Sequence, residues 1–174
     1  MEYNLLSALG EAENVELGES YDGFMAFSFK QNSNIKFPSR MILPEKIMDF
    51  VIMSTLKPES TKGGYLFSVV NPMDTVVQLG VHFSPVLNDK WNVSVLYTDA
   101  RKHVSMSLAK FEVPFKKQWT ALAFRVLHNK VTLYLDCNET ESISINRDPV
   151  ELVFDSASTL YLVQAGSILK GHFE

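Results

Sequence analysis

The sequence holds a single cysteine among 174 residues, so no disulfide can close within it. It has no apolar run near the ~18–20 residues that a membrane-spanning helix needs. Its opening, MEYNLLSALGEAENVELGES, lacks a basic segment ahead of a long apolar stretch and does not read as a signal peptide. Catalytic signatures are missing as well: no nucleophile elbow, no HExxH, no phosphate-binding loop, no CxxC pair. Gly-X-Y triplets and heptads do not occur, so these residues encode neither a triple helix nor a coiled coil. Basic charge is in deficit, with 16 Lys and Arg against 20 Asp and Glu. That balance argues against broad nucleic-acid binding, which needs cations to displace phosphate counterions. It leaves room for a local basic patch.

What the chain does have is patterned apolar sequence. Hydrophobic residues make up 46% and charged residues 21%, as in ordinary globular proteins. The length suits one domain able to bury roughly 70% of its unfolded surface. Trp119–Cys137 carries the clearest pattern, two strand-length runs around a polar turn at His128-Asn129. In the second run Val131, Leu133, Leu135 and Cys137 share one face, and Thr132, Tyr134 and Asp136 the other. The first run is apolar on both faces, as inside a layered sheet. Trp119, Phe124, Tyr134, Phe67 and Phe111 stand at inward-type positions and are expected in the core.

Helical spacing is confined to Leu5, Leu6 and Leu9 ahead of Gly10, a short N-terminal helix with a glycine stop. The rest predicts strands: Gly23–Phe29, Ile35–Phe37, Lys46–Leu56, a YLFSVV strand after Gly63-Gly64, Val76–Phe83, Asn92–Thr98 and Val104–Val113. The hairpin follows, then Ser142–Ile145 and Thr159–Gln164. In Lys46–Leu56, Met48, Phe50, Ile52 and Leu56 share a face. Turn chemistry separates the strands, at Asn71-Pro72, Asn88-Asp89 and Arg147-Asp148-Pro149. This order predicts an all-β fold, two antiparallel sheets packed as a jelly-roll sandwich, in one domain spanning 1–174. Gly171–Glu174 reads as the opening of a further strand, so the last strand is expected to be truncated.

Blocks of residues in this order carry a resemblance. Leu5-Leu6 with Leu9-Gly10, Lys57-Pro58, Gly64-Tyr65-Leu66-Phe67-Ser68 and Val77-Gln78-Leu79-Gly80-Val81 begin it. Val95-Leu96-Tyr97-Thr98, Gln118-Trp119-Thr120, Val131–Cys137, Val163-Gln164-Ala165-Gly166 and Gly171-His172-Phe173-Glu174 complete it. The chain resembles the thrombospondin N-terminal-like module of the laminin-G/concanavalin A-like superfamily. It is most similar in kind to the N-terminal non-collagenous domain of the multiplexin collagens, types XV and XVIII. The resemblance implies a secreted module of the extracellular matrix or basement membrane that acts on matrix proteins without catalysis. It also implies that Cys137 pairs with a cysteine beyond Glu174, and that trimers form only through collagenous sequence outside these residues. From composition alone the same thiol reads as a small core residue.

Candidate sites follow. Asn92-Val93-Ser94 and Asn138-Glu139-Thr140 are N-glycosylation sequons, with Asn92 pointing outward on its strand and Asn138 at a strand end. Arg101, Lys102 and His103 form one basic cluster, and Lys116 and Lys117 another. Thrombospondin-type modules imply heparan-sulfate binding by such residues, though these two clusters flank one strand and fall near opposite ends of it. Laminin-G-like sandwiches imply calcium, for which the loop carboxylates Asp74, Asp89 and Asp99 are the candidates, with no ligand set evident. Glu139 and Glu141 alternate without a third carboxylate, which is no glycosidase array. His82, His103, His128 and His172 lack zinc spacing, and His82 is expected to be solvated.

Overall fold

Asn4 starts the first ordered turn. Its Oδ1 accepts the Leu6 N–H at 3.0 Å, capping a 3₁₀ helix over Leu5–Ala8, and Leu9 follows into the core. The structure is a computed structural model describing residues 1–10, 12–31 and 33–174. Strands β1 (Val15–Glu19), β2 (Met25–Phe29), β3 (Ile35–Pro38), β4 (Lys46–Ile47), β5 (Phe50–Leu56), β6 (Gly64–Val70) and β7 (Val77–Phe83) come next. They are followed by β8 (Lys90–Tyr97), β9 (Ser107–Pro114), β10 (Thr120–Val126), β11 (Lys130–Leu135), β12 (Asn138–Ser144), β13 (Leu152–Val153) and β14 (Thr159–Leu162). One helical turn, α1 (Gly166–Leu169), comes last.

Alternation makes the sandwich. A six-stranded sheet, β3-β14-β6-β7-β8-β9, faces a four-stranded one, β12-β11-β10-β5, and all their ladders are antiparallel. Val81, Val93 and Phe111 from the first meet Phe124, Val131 and Leu133 from the second, all fully or nearly fully buried. Phe111 and Phe124 bridge the layers with ring centres 5.8 Å apart. The expected jelly-roll sandwich is therefore the observed fold. Leu169 of α1 packs on a second, smaller apolar cluster of Val70, Val77, Leu96, Tyr161 and Ala165.

The first twenty-nine residues stand apart in charge. They hold six carboxylates and no Lys or Arg, leaving 14 acidic and 16 basic side chains in residues 30–174, a net of +2. Part of this acidic segment forms the separate two-stranded sheet of β1 and β2, with Leu17, Tyr21, Phe24 and Met25 exposed around its turn.

Several expectations need correction. Strand Lys46–Leu56 is broken at Met48-Asp49, and Met48 is exposed, because the buried Arg147 takes the Met48 carbonyl and Asp49 carboxylate at that corner. Trp119 and Tyr134 are only half-buried. They share parity with Ala121, Ala123 and Thr132 on the outer face, and the fully packed indole is that of Trp91. Val104 lies exposed in a loop, since the strand begins only at Ser107.

Cys137 is exposed rather than facing the core. The strand ends at Leu135, and Asp136 (φ 48°) with Cys137 (φ 66°) makes a two-residue hairpin turn into β12. Gly171–Glu174 forms no strand. His172 makes a single parallel bridge to Tyr65, the Phe173 N–H donates to the Val163 carbonyl, and Phe173 packs 4.8 Å from the Phe83 ring centre.

Candidate functional site

The meander of β6 to β9 sends its loops alternately to the two ends of the sandwich. The β6–β7 and β8–β9 loops share one end. The β7–β8 turn and the β9–β10 loop share the other, where the Phe115 N–H donates to the Asp89 carbonyl at 2.9 Å. Arg101, Lys102 and His103 thus sit at the first end and Lys116-Lys117 at the second, separated by the eight residues of β9. That strand spans about 27 Å. The structure does not unite them into one basic surface.

At the first end, Asp99, Arg101, Lys102, Asp148 and Pro149 line an open cleft of about 370 Å³. Its arginine is already paired. Asp99 accepts the Arg101 backbone N–H at 2.8 Å and its Nε and Nη2 at 2.9 and 3.0 Å. The forked pair holds the Asp99 carboxyl below the usual carboxylate range, chiefly through the Arg101 side-chain hydrogen bonds. Lys102 and Asp148 also line the cleft, which therefore carries two charges of each sign. Such a site suits a polar neutral or zwitterionic group better than a polyanion.

Behind the cleft lies a buried arginine that sequence reading treated only as part of a turn. The Arg147 side chain is 0% exposed; Nη2 donates to Asp49 at 2.8 Å and Nη1 to the Met48 carbonyl at 3.1 Å. Its guanidinium carbon stands 5.9 Å from the Tyr97 ring centre, and Tyr97 stacks on Phe50. The Tyr97 hydroxyl donates to the Pro149 carbonyl at 2.7 Å. Together these contacts fix the wall of the cleft to β5 and β8. The only sequence signal was an arginine between an apolar strand and a turn, which is common on surfaces.

Burial pushes the Tyr97 phenol up to about 12, against the lesser opposing pull of Arg147. Tyr161 is likewise pushed up to about 12, by burial first and then by donating its proton to Asp74 at 2.9 Å. In the unfolded chain both phenols ionise near ~10. The folded state therefore keeps protons that the unfolded state releases. Stability from these groups is whole below pH ~10 and falls as pH rises from there through about 12. Absorbance at 295 nm should show Tyr97 and Tyr161 ionising only as the alkaline unfolding transition sets in, with Tyr65 also held back by burial. All six titrating together near pH ~10 in the folded chain would contradict this.

The remaining candidates are dispersed. Asp74 is engaged by Tyr161, Asp99 by Arg101, and Asp89 (φ 58°) follows Asn88 (φ 52°) in the tight β7–β8 turn at the opposite end. Among the described residues no three His, Cys, Asp or Glu groups gather to hold a metal. His82 is half-buried, not solvated. Its ring meets Tyr65 edge-on at 4.7 Å, and burial, then Lys110, lowers its pKa. Asn92 faces outward but is half-buried near the start of β8, a strand flanked on both sides. Asn138 is exposed at the start of edge strand β12, with Glu139 and Thr140 exposed beside it.

No protein-family model matches the chain. It is 30% identical over 169 residues to the human collagen alpha-1(XVIII) chain, covering 95% of this chain and 10% of the collagen. The chain thus spans about a tenth of the length of that curated relative. Domain 4 of AbnA, a GH43 extracellular arabinanase from Geobacillus stearothermophilus, superposes with TM-score 0.57 at 19% identity, over 92% of this chain and 72% of that one. A heptameric SAP-like pentraxin from Limulus polyphemus gives 0.54 at 13%, over 75% and 58%. Mouse laminin alpha1 domains LG4-5 give 0.50 at 11%, over 83% and 37%. Fold and sequence agree: this chain folds as an antiparallel jelly-roll sandwich, the fold also of the laminin alpha1 LG domains, and along nearly all of its own length it is similar to one segment of the collagen alpha-1(XVIII) chain.

Proposed function

We propose that this chain is a non-catalytic module of a collagen-like protein of the extracellular matrix, presenting sandwich surfaces to other matrix components. The observation that carries the reading is the end-to-end similarity to part of collagen XVIII. A secreted setting gives its sequons and thiol a role. Asn138 would carry glycan, Asn92 less readily from its half-buried position. Cys137, at the tip of an exposed hairpin, would pair with a cysteine outside these residues. Expressed behind a secretion leader in cultured cells, the chain should enter the insoluble matrix and lose mass on glycosidase treatment, a loss that Asn138→Gln reduces. Retention inside the cell, or full recovery in the medium, would overturn the reading.

A glycan-binding module is the second reading, favoured by the cleft at Arg101 and Lys102. Domain 4 of AbnA is described in complex with arabinotriose, and a sialidase module from Ruminococcus gnavus with TM-score 0.50 in complex with sialyllactose. The charge balance of the cleft sets the expectation for heparan sulfate. Elution from a heparin column should come below physiological salt. Neutralising Arg101 and Lys102, or Lys116 and Lys117, should shift it only slightly. Retention above physiological salt that either pair abolishes would promote this reading over the first.

A further inference from the structure

Strand register lines up a row of polar side chains on the outer face of the six-stranded sheet: Tyr65 of β6, His82 of β7, Ser94 of β8 and Lys110 of β9. Neighbours in such a row stand about 5 Å apart. At Tyr65 the row meets the last residues of the chain. A Cβ on Gly171 would come within 2.8 Å of the Tyr65 ring, and the Tyr65 N–H donates to the Gly171 carbonyl at 2.8 Å. His172 bridges to Tyr65, and Phe173 then enters the core beside Phe83. The same tyrosine ring meets the His82 imidazole edge-on, with centres 4.7 Å apart. Tyr65 therefore touches both the C-terminal segment and a histidine.

His82 sits where a positive charge is poorly supported. It is half-buried, and no carboxylate shares its row, whose one charged side chain is Lys110. Glu112, two residues along β9, is held by Lys90 of β8 at 2.7 Å. Strands β6 and β7 carry no Asp, Glu, Lys or Arg. The terminal segment beyond Tyr65 brings Lys170, His172 and Glu174. Burial first, and then Lys110, hold the His82 pKa below its ordinary value.

We propose that His82 is a proton-sensitive latch on the C-terminal segment. Neutral, it backs Tyr65 and keeps the segment docked; protonated, it favours a state in which Tyr65 withdraws and the segment lifts from the sandwich. In the lifted state water reaches the imidazole, which titrates near its ordinary ~6.5. The docked state binds that proton less readily. Docking is therefore strongest above pH ~6.5 and weakens as pH falls from there through the lower value of the docked histidine. The opening is local, because the ladders of β7 with β8 and of β10 with β11 do not depend on residues 171–174.

The test is amide hydrogen exchange of the intact chain, read at the Phe173 N–H that donates to the Val163 carbonyl. Between pH ~8 and ~5 its protection, corrected for intrinsic exchange, should fall several-fold relative to the amides of the β7–β8 ladder. His82→Gln keeps a neutral polar side chain and should remove that pH dependence, whereas His172→Gln should retain it. Lys110→Gln falls on an exposed side chain, so the chain stays folded, and it should shrink the dependence without abolishing it. Proton NMR of the parent should show His82 titrating below ~6.5. A His82 titration at or above that value overturns the proposal. So does Phe173 protection that stays constant, that falls only in step with the β7–β8 ladder, or that keeps its pH dependence in His82→Gln.

Discussion

Asp49→Ala is expected to destabilise the fold by about 3 kcal/mol, more than an ordinary exposed ion pair would suggest. The asymmetry of the pair is the reason. Asp49 is about half exposed, with 53% of its side-chain surface in water, whereas the Arg147 side chain has none. Deleting the carboxylate leaves a buried guanidinium held only by the Met48 carbonyl at 3.1 Å and by the face of Tyr97. Deleting the guanidinium instead leaves a carboxylate that water can reach. Arg147→Met, which keeps the volume of the side chain, should therefore cost less than Asp49→Ala, and the double variant should recover much of the Asp49→Ala loss. Urea unfolding curves of the three variants measure this directly. An Asp49→Ala cost within error of zero, or one equal to that of Arg147→Met, would show that the pair behaves as a surface contact.

Gly64→Ala should cost about 3–5 kcal/mol, the loss of a buried phenylalanine. Gly64 has φ 133°, a conformation that only glycine adopts without strain, and a Cβ there would run into the His172 carbonyl. The last residues of the chain must then lift away. Phe173 leaves its place beside Phe83 and Trp91, and the backbone bond from the Phe173 N–H to the Val163 carbonyl breaks. Trp91 fluorescence should shift to the red in a Trp119→Phe background, with the C-terminus newly open to carboxypeptidase. Phe173→Ala is the matched control. A Gly64→Ala protein whose Trp91 emission and stability match those of the parent would show that the terminal segment is not clamped at this point.

The sandwich was legible because enough of its strands alternate. Val93 and Val95 around Ser94, and Val131 and Leu133 around Thr132, announce which face is buried before any coordinates are seen. Boundaries failed where a tertiary contact decides them. Nothing local in Lys46–Leu56 says that Arg147, a hundred residues on, will break the strand at Met48-Asp49. Cys137 continued the apolar parity of its strand, and only the turn at Asp136-Cys137 takes it to the surface. The basic residues were easily found as sequence. Their meaning was not, because Arg101 is held by Asp99 of its own loop, and the second carboxylate of the cleft comes from another loop at Asp148.

The first twenty-nine residues carry six negative charges and no lysine or arginine, while the remainder is weakly basic. Within a Debye length of a polyanionic layer, roughly 8 Å at physiological salt, the acidic stretch is repelled and the remainder attracted. Contact with such a layer through Leu17, Tyr21, Phe24 and Met25, which stand exposed in that stretch, is thereby disfavoured.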